Sequence, residues 1–199
     1  MLNYGNIFDN GMNYSSYREL INLLFQEGKT TGDDHSEGML HYTKMNNQRM
    51  NRVEKTTVLN DELIKAIANV KSNYNFLVIS EGWCGDAAQI LPVIEKIVGA
   101  SNGKFTLKIV LRDKNLELMD NYLTNGGRAI PVLLVLDENK NPVLPKWGPR
   151  PQILQTLLKQ WKQEIEDAGL VAEQLHGWYA KDKTQATQVE LTELLGQLD

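Results

Sequence analysis

The sequence predicts an α/β fold, a mixed central sheet flanked by helices, with extra helices at both ends. Three observations lead there. The apolar runs Phe76–Ser80, Phe105–Leu111 and Val132–Leu136 have the length and branched-aliphatic content of buried strands. A helical pattern fills the chain between the first two runs, so those strands pair in parallel through a right-handed crossover. Further helical patterns precede the first run and follow the last.

The elements follow in chain order. Met1 to Gly11 reads as a loose lead-in. Asn13-Tyr14-Ser15-Ser16 starts a helix whose apolar residues Tyr17, Leu20, Ile21, Leu24 and Phe25 recur at helical spacing as far as Gly28. A polar loop leads to a second helix from Ser36 to about Lys55, with a ragged stripe of Met39, Leu40, Tyr42, Met45, Met50 and Val53. Its basic residues Lys44, Arg49, Arg52 and Lys55 read as a solvated face. Asn60 or Asp61 caps a third helix through Leu63, Ile64, Ile67 and Val70. After the first strand, the helix after Cys84 carries Ile90, Leu91, Val93, Ile94, Ile97 and Val98 and stops near Gly99, and Pro92 inside it removes a backbone donor. Asn115 to Leu123 reads as a short helix. Pro142 to Leu144 reads as a short antiparallel return strand. Gly148-Pro149-Arg150-Pro151 opens a long helix through Leu154, Leu158, Trp161 and Ile165. Two C-terminal helices follow, one over Leu170 to Tyr179 and one through Leu191, Leu194, Leu195 and Leu198.

Bulk properties exclude several function classes. The 199 residues suit one domain with additions, and the net charge of −4 lacks the basic balance that a nucleic-acid partner needs. A single cysteine excludes an internal disulfide framework and a four-cysteine zinc site. His35, His41 and His176 lie on separate segments without metal-ligand spacing, and each reads as a surface or helix residue. No cofactor and no metal are expected. No apolar run is long enough to span a membrane. Met1 to Ser16 has neither a basic start nor an apolar core, so it does not read as a signal peptide. The expected compartment is the cytoplasm, where a lone thiol stays reduced.

The chemistry concentrates where the first strand ends. Trp83-Cys84-Gly85-Asp86-Ala87 places the one sulfur at a helix N-terminus, where free N–H groups favour thiolate. Asp86 acts against this, because its charge repels a thiolate and raises the cysteine pKa. Arg128, three residues before Pro131, would offset Asp86 if it points at the site. The bland readings stand beside these: Cys84 as a small buried hydrophobe, Trp83 as a packing aromatic, and Arg112-Asp113 as a local ion pair.

Four features together resemble the thioredoxin superfamily. Trp83-Cys84-Gly85 is similar to the start of its Trp-Cys-Gly-Pro-Cys motif. Pro92 matches the proline that kinks the motif helix. Ile130-Pro131 matches the cis-proline loop, and Gly148 matches a glycine before the last core helix. The resemblance covers roughly residues 57–166. It divides the chain into an N-terminal helical extension (1–56), a thioredoxin-like domain (57–168) and a C-terminal helical extension (169–199). The departures are as informative. The family's second cysteine falls on Ala87, its motif proline on Asp86, its buried acid on Val78 and that acid's lysine partner on Ile109.

The resemblance implies thiol–disulfide chemistry by a monothiol. Cys84 would be the nucleophile, with Trp83, Gly85, Asp86, Ala87, Arg128, Ile130 and Pro131 around the substrate. The partner would be a protein or low-molecular-weight thiol or disulfide, and an outside thiol would release the product. Two alternatives stay open, a non-catalytic binding module that takes a peptide beside Pro131 and a redox sensor that dimerises through Cys84. Access to the sulfur separates them. Whether the chain is an enzyme, and how many copies associate, is left undecided by the sequence.

Overall fold

The computed structural model describes residues 2–199. Three strands form the sheet: β1 (Tyr74–Ser80), β2 (Phe105–Leu111) and β3 (Val132–Leu136). Their order is β2-β1-β3, with β2 parallel and β3 antiparallel to β1. Every residue of β3 is buried, and so is β1 beyond Tyr74, as strands covered on both faces require. The mixed α/β sheet and the parallel first pair agree with the sequence reading.

Helix α1 (Tyr4–Asp9) corrects the loose lead-in. Six residues are too few to show a period, but Asn3 caps the turn by accepting from the Asn6 N–H at 2.9 Å, and Phe8 is buried. Met12 then exchanges both backbone hydrogen bonds with Ile109, so the chain lies along the outer edge of β2. Helix α2 (Tyr14–Gln26) starts at Asn13, whose side chain accepts from the Ser16 N–H at 2.8 Å. Helices α3 (Glu37–Thr56) and α4 (Asp61–Asn69) follow, the latter capped by Asn60.

Helix α5 (Gly85–Ala100) carries the crossover from β1 to β2. Each residue from Asp86 to Ile94 is buried. A helix buried all round needs cover on every side. The sheet gives one side, and α3, α4 and the last helix, α9 (Gln185–Leu195), give the others. Leu191, Leu194, Leu195 and Leu198 thereby join one hydrophobic core with Phe8, Met50 and Val53, so both terminal extensions share the core of the middle segment.

Two further expectations need correcting. The helix expected over Asn115–Leu123 is a 3-10 turn at Arg112–Lys114 followed by α6 (Leu116–Asp120). The return strand is reduced to isolated bridges, Leu136 with Pro142 and Leu133 with Trp147, because Pro142 has no N–H to continue a ladder. Helices α7 (Gln152–Glu164) and α8 (Ala168–Asp182) pack against each other before α9. Among the described residues no helix is long and apolar enough to cross a membrane.

Candidate functional site

Cys84 is the N-cap residue of α5, with the extended backbone that N-caps adopt (φ −81°, ψ 118°). Its Sγ lies 3.5 Å from the Ala87 N–H. That contact is the helix-terminus arrangement expected from Gly85-Asp86-Ala87. The sulfur is also closed in. Cys84 is 8% exposed, and its thiol donates to the Ile130 carbonyl at 3.3 Å. Ile130-Pro131 is thus placed against the sulfur, and its peptide bond is cis, as is that of Gly148-Pro149. Gly148 has φ +114°, and a Cβ there would run into the Pro131 carbonyl, so only glycine fits at this position.

Burial pushes the Cys84 thiol up to about 12, and the Asp86 charge pushes the same way. The Ala87 and Asp86 N–H groups and the Arg150 cation pull it down without overcoming them. A thiolate gains from a helix N-terminus only where solvent or a cation completes its shell. Here the Ile130 carbonyl, an acceptor, occupies that place and selects the neutral thiol.

Asp86 does not point to solvent. Arg150 grips it with two hydrogen bonds, Nε to Oδ1 at 3.1 Å and Nη2 to Oδ2 at 2.6 Å. Tyr179 of α8 donates its hydroxyl to Oδ1 at 2.6 Å. The Arg150 and Asp86 side chains are 17% and 8% exposed, so this is a largely buried ion pair. Burial, followed by the Asp86 charge, raises the Tyr179 phenol well above its ordinary value and keeps it a donor. His176, one turn earlier on α8, lies on Gly85. A Cβ at Gly85 would stand 2.5 Å from its Cε1. Helix α8 is therefore a cover over the Trp83-Cys84-Gly85-Asp86 turn.

The Arg128 side chain is engaged by Asp120 and is not the cation beside Cys84. Its guanidinium is exposed and paired bidentately with Asp120, at 2.6 and 2.9 Å, as the close, unobstructed carboxylate on α6 dictates. The cation beside Cys84 and Asp86 is Arg150 instead. Replacing Arg128 with Gln is accordingly expected to leave the alkylation rate of Cys84 unchanged, measured under the same conditions as the native chain.

Trp83 is half-buried, with the Arg112 guanidinium 4.6 Å above its ring. Arg112 also pairs with Asp113 at 2.7 Å. Two residues before Trp83, Glu81 is fully buried and accepts from the Thr31 hydroxyl and from the Asp113 N–H at 3.0 Å, while Gly82 N–H donates to Thr31 Oγ1. This network ties the loop before α3 to the ends of β1 and β2. Burial raises the Glu81 carboxyl above the usual range.

Arg150, Tyr179, His176 and Glu81 escaped the sequence reading. His176 was read as a surface or helix residue, yet it packs on Gly85 and its Nδ1 is buried without a partner. Burial, helped by Arg49 and opposed by Asp86, lowers its pKa to about 4. A histidine held neutral in this way stabilises the fold above its unfolded value of about 6.5 and loses that contribution as pH falls towards 4. Part of the ring meets solvent, so the loss is on the order of 1–2 kcal/mol between pH 6.5 and 4.5. Denaturant unfolding at both pH values checks this, and His176→Gln is expected to flatten the dependence.

Among the described residues no group of three or more His, Cys, Asp and Glu stands together as a metal site. A thioredoxin family model matches residues 32–162. Among solved structures, a Pseudomonas aeruginosa protein of unknown function is similar at 18% identity, covering 98% of each chain with a TM-score of 0.66. An HIV epitope-scaffold is similar at 20% identity, covering 77% of this chain and 81% of its own, with a TM-score of 0.55. Likenesses at these identities establish the fold alone. No curated protein matches.

Proposed function

Because this chain belongs to the thioredoxin family, we propose that it is a thioredoxin-fold binding module whose one cysteine is structural in the closed form. The observation that carries this reading is the buried Cys84 thiol, which donates a hydrogen bond to the Ile130 carbonyl. A neutral, covered sulfur is a poor nucleophile. The resolving position is Ala87, so a turnover cycle would also lack its second step.

What stays open beside the proline loop is a groove of about 610 Å³, whose wall includes Ala129, Pro149, Arg150, Gln155, Lys159 and Lys162. No carboxylate lines it. Its charge suits an extended acidic peptide. Lys159 and Lys162 would meet the peptide's carboxylates, while Arg150 stays on Asp86.

A second reading is favoured by one observation, the position of Cys84 at the N-cap of α5. In it the protein is a latent monothiol. Once α8 lifts, the Cys84 thiolate attacks a disulfide, a new S–S bond forms, and the displaced thiolate takes up a proton. An outside low-molecular-weight thiol then attacks the mixed disulfide and restores Cys84. A cytoplasmic setting belongs to either reading.

The test is to incubate the folded protein with glutathione disulfide and read its intact mass. In parallel, binding of an acidic peptide series is followed by fluorescence anisotropy. The binding module is expected to form no adduct. Its peptide affinity should survive Cys84→Ala and fall at least tenfold in Lys159→Glu/Lys162→Glu. Rapid formation of a mixed disulfide at Cys84 would replace the first reading with the second.

A further inference from the structure

Among the described residues none of the basic residues of α3, Lys44, Arg49, Arg52 and Lys55, which read from the sequence as a solvated face, has an acidic partner. Arg49 donates to the Asn46 amide oxygen at 2.7 Å, and Arg52 donates to Gln89 Oε1 at 3.1 Å. Desolvation and the nearness of Arg52 both lower the Arg49 pKa, the mark of two cations held close together.

Arg52 borders a cavity of about 390 Å³ at the seam between the C-terminal end of α3, helix α5 and the α8–α9 turn. Lys183 adds a second cation to its wall, and no Asp or Glu lines it. The nearby Asp182 carboxylate accepts from the Ala186 N–H at 3.2 Å, at the start of α9. Two wall residues hold polar atoms in reserve. Gln89 is 3% exposed, and because Arg52 holds its Oε1, its amide Nε2 is left as a donor with no partner. Thr57, 7% exposed, leaves Oγ1 without a partner as well. Unsatisfied buried polar atoms are uncommon, because each forfeits a hydrogen bond to water on folding. Finding two of them in one cavity wall, beside two cations and no anion, defines a complementary ligand.

We propose that this cavity binds the oxyanion group, phosphate or carboxylate, of a small molecule, with Arg52, Lys183 and Gln89 Nε2 as its donors. Guanidinium and ammonium groups supply the charge. The Gln89 amide supplies a directed donor in a partly dry site, where a charge-assisted hydrogen bond is strong. The cavity holds a small metabolite and is too small for a folded partner. The proposal is independent of whether Cys84 reacts.

The experiment uses the whole chain, isotope-labelled, in chloride buffer at constant ionic strength. Inorganic phosphate is titrated in one arm and malonate in the other, and the Gln89 side-chain amide resonances are followed. Saturable shifts are expected in at least one arm, and the tighter arm names the oxyanion class. Arg52→Gln and Lys183→Gln are each expected to weaken that binding about tenfold or more, whereas Lys65→Gln, at an exposed position of α4 that lines neither the cavity nor the groove, leaves it unchanged. Gln89→Met removes the donor at nearly constant volume; followed through the backbone amides of the wall residues Thr57 and Thr184, binding is expected to weaken, with the fold intact by circular dichroism. The proposal is overturned if neither anion gives a saturable shift. It is equally overturned if the shifts persist undiminished in Arg52→Gln and Lys183→Gln, which would leave only general salt effects.

Discussion

In the folded protein Cys84 is expected to react with iodoacetamide about a thousandfold more slowly at neutral pH than a cysteine of ordinary acidity. The rate should also show no inflexion below pH 9. Burial and the Asp86 charge lift the thiol from 9.0 to about 12. Three pH units remove about three orders of magnitude of thiolate, the reacting species. The same displacement has a stability signature. Between pH 9 and 12 the unfolded chain has lost the Cys84 proton and the folded chain still holds it, so stability falls as pH rises. Buried Tyr14, Tyr17 and Tyr179, all raised, act in the same direction. Cys84→Ala should therefore make the alkaline fall shallower without removing it. Stopped-flow alkylation from pH 6 to 11 is the measurement. A fast reaction with a midpoint below about 8.5 would mean that the Ala87 N–H and Arg150 outweigh burial, and the closed-site account would fail.

What was legible in the sequence follows from the range of the forces involved. β2 and β3 lie where their apolar runs lie, because a short run rich in branched and aromatic residues, bounded by turn residues, carries its strand signal locally. The helix starts at Asn13 and at Asn60 or Asp61 were legible because capping is a contact between residues three apart, and the structure gives the second cap to Asn60. The Cys84 junction was legible for the same local reason. The cover over it was not. Asp86 meets Arg150 from 64 residues away and Tyr179 from 93, and neither partner carries a local signal of its role. Arg150 stood in a Gly-Pro-Arg-Pro stretch that reads as a turn. Tyr179 stood in a helix whose apolar stripe is weak because two faces are used, one on α7 and one on the site. Arg128 shows the converse error. Nearness in sequence to Pro131 suggested a place at the site, but a bidentate carboxylate eight residues earlier decided its direction. One clue was available: a polar motif residue, Asp86, at the start of an otherwise apolar helix needs a cation nearby if that helix is buried.

Replacing Asp86 with Asn is expected to destabilise the protein by about 3 kcal/mol and to speed Cys84 alkylation, the second large effect. The stability cost comes from Arg150 more than from Asp86. The guanidinium is only 17% exposed, and without the carboxylate it is a poorly solvated charge with no counter-ion. Breaking one side of a buried pair costs about 3–5 kcal/mol, whereas exchanging both sides for apolar groups is often close to neutral. Asp86→Leu/Arg150→Met should therefore lose much less than the two single changes together, and a double-mutant cycle by urea unfolding measures the difference. Tyr179→Phe removes one hydrogen bond to a charged acceptor and is expected to cost about 1.5–3 kcal/mol. The kinetic effect has two sources that the variants separate. Asp86→Asn removes a charge that raises the Cys84 pKa and also weakens the hold on α8, whereas Tyr179→Phe keeps the charge and weakens only the hold. If both variants speed alkylation and lower amide protection along α8, access through α8 governs the sulfur. If only Asp86→Asn does so, with α8 protected as before, the charge governs it. A loss below about 1 kcal/mol in Asp86→Asn would mean that Arg150 finds water in the folded state, and that the pair is no latch on the helix covering Cys84.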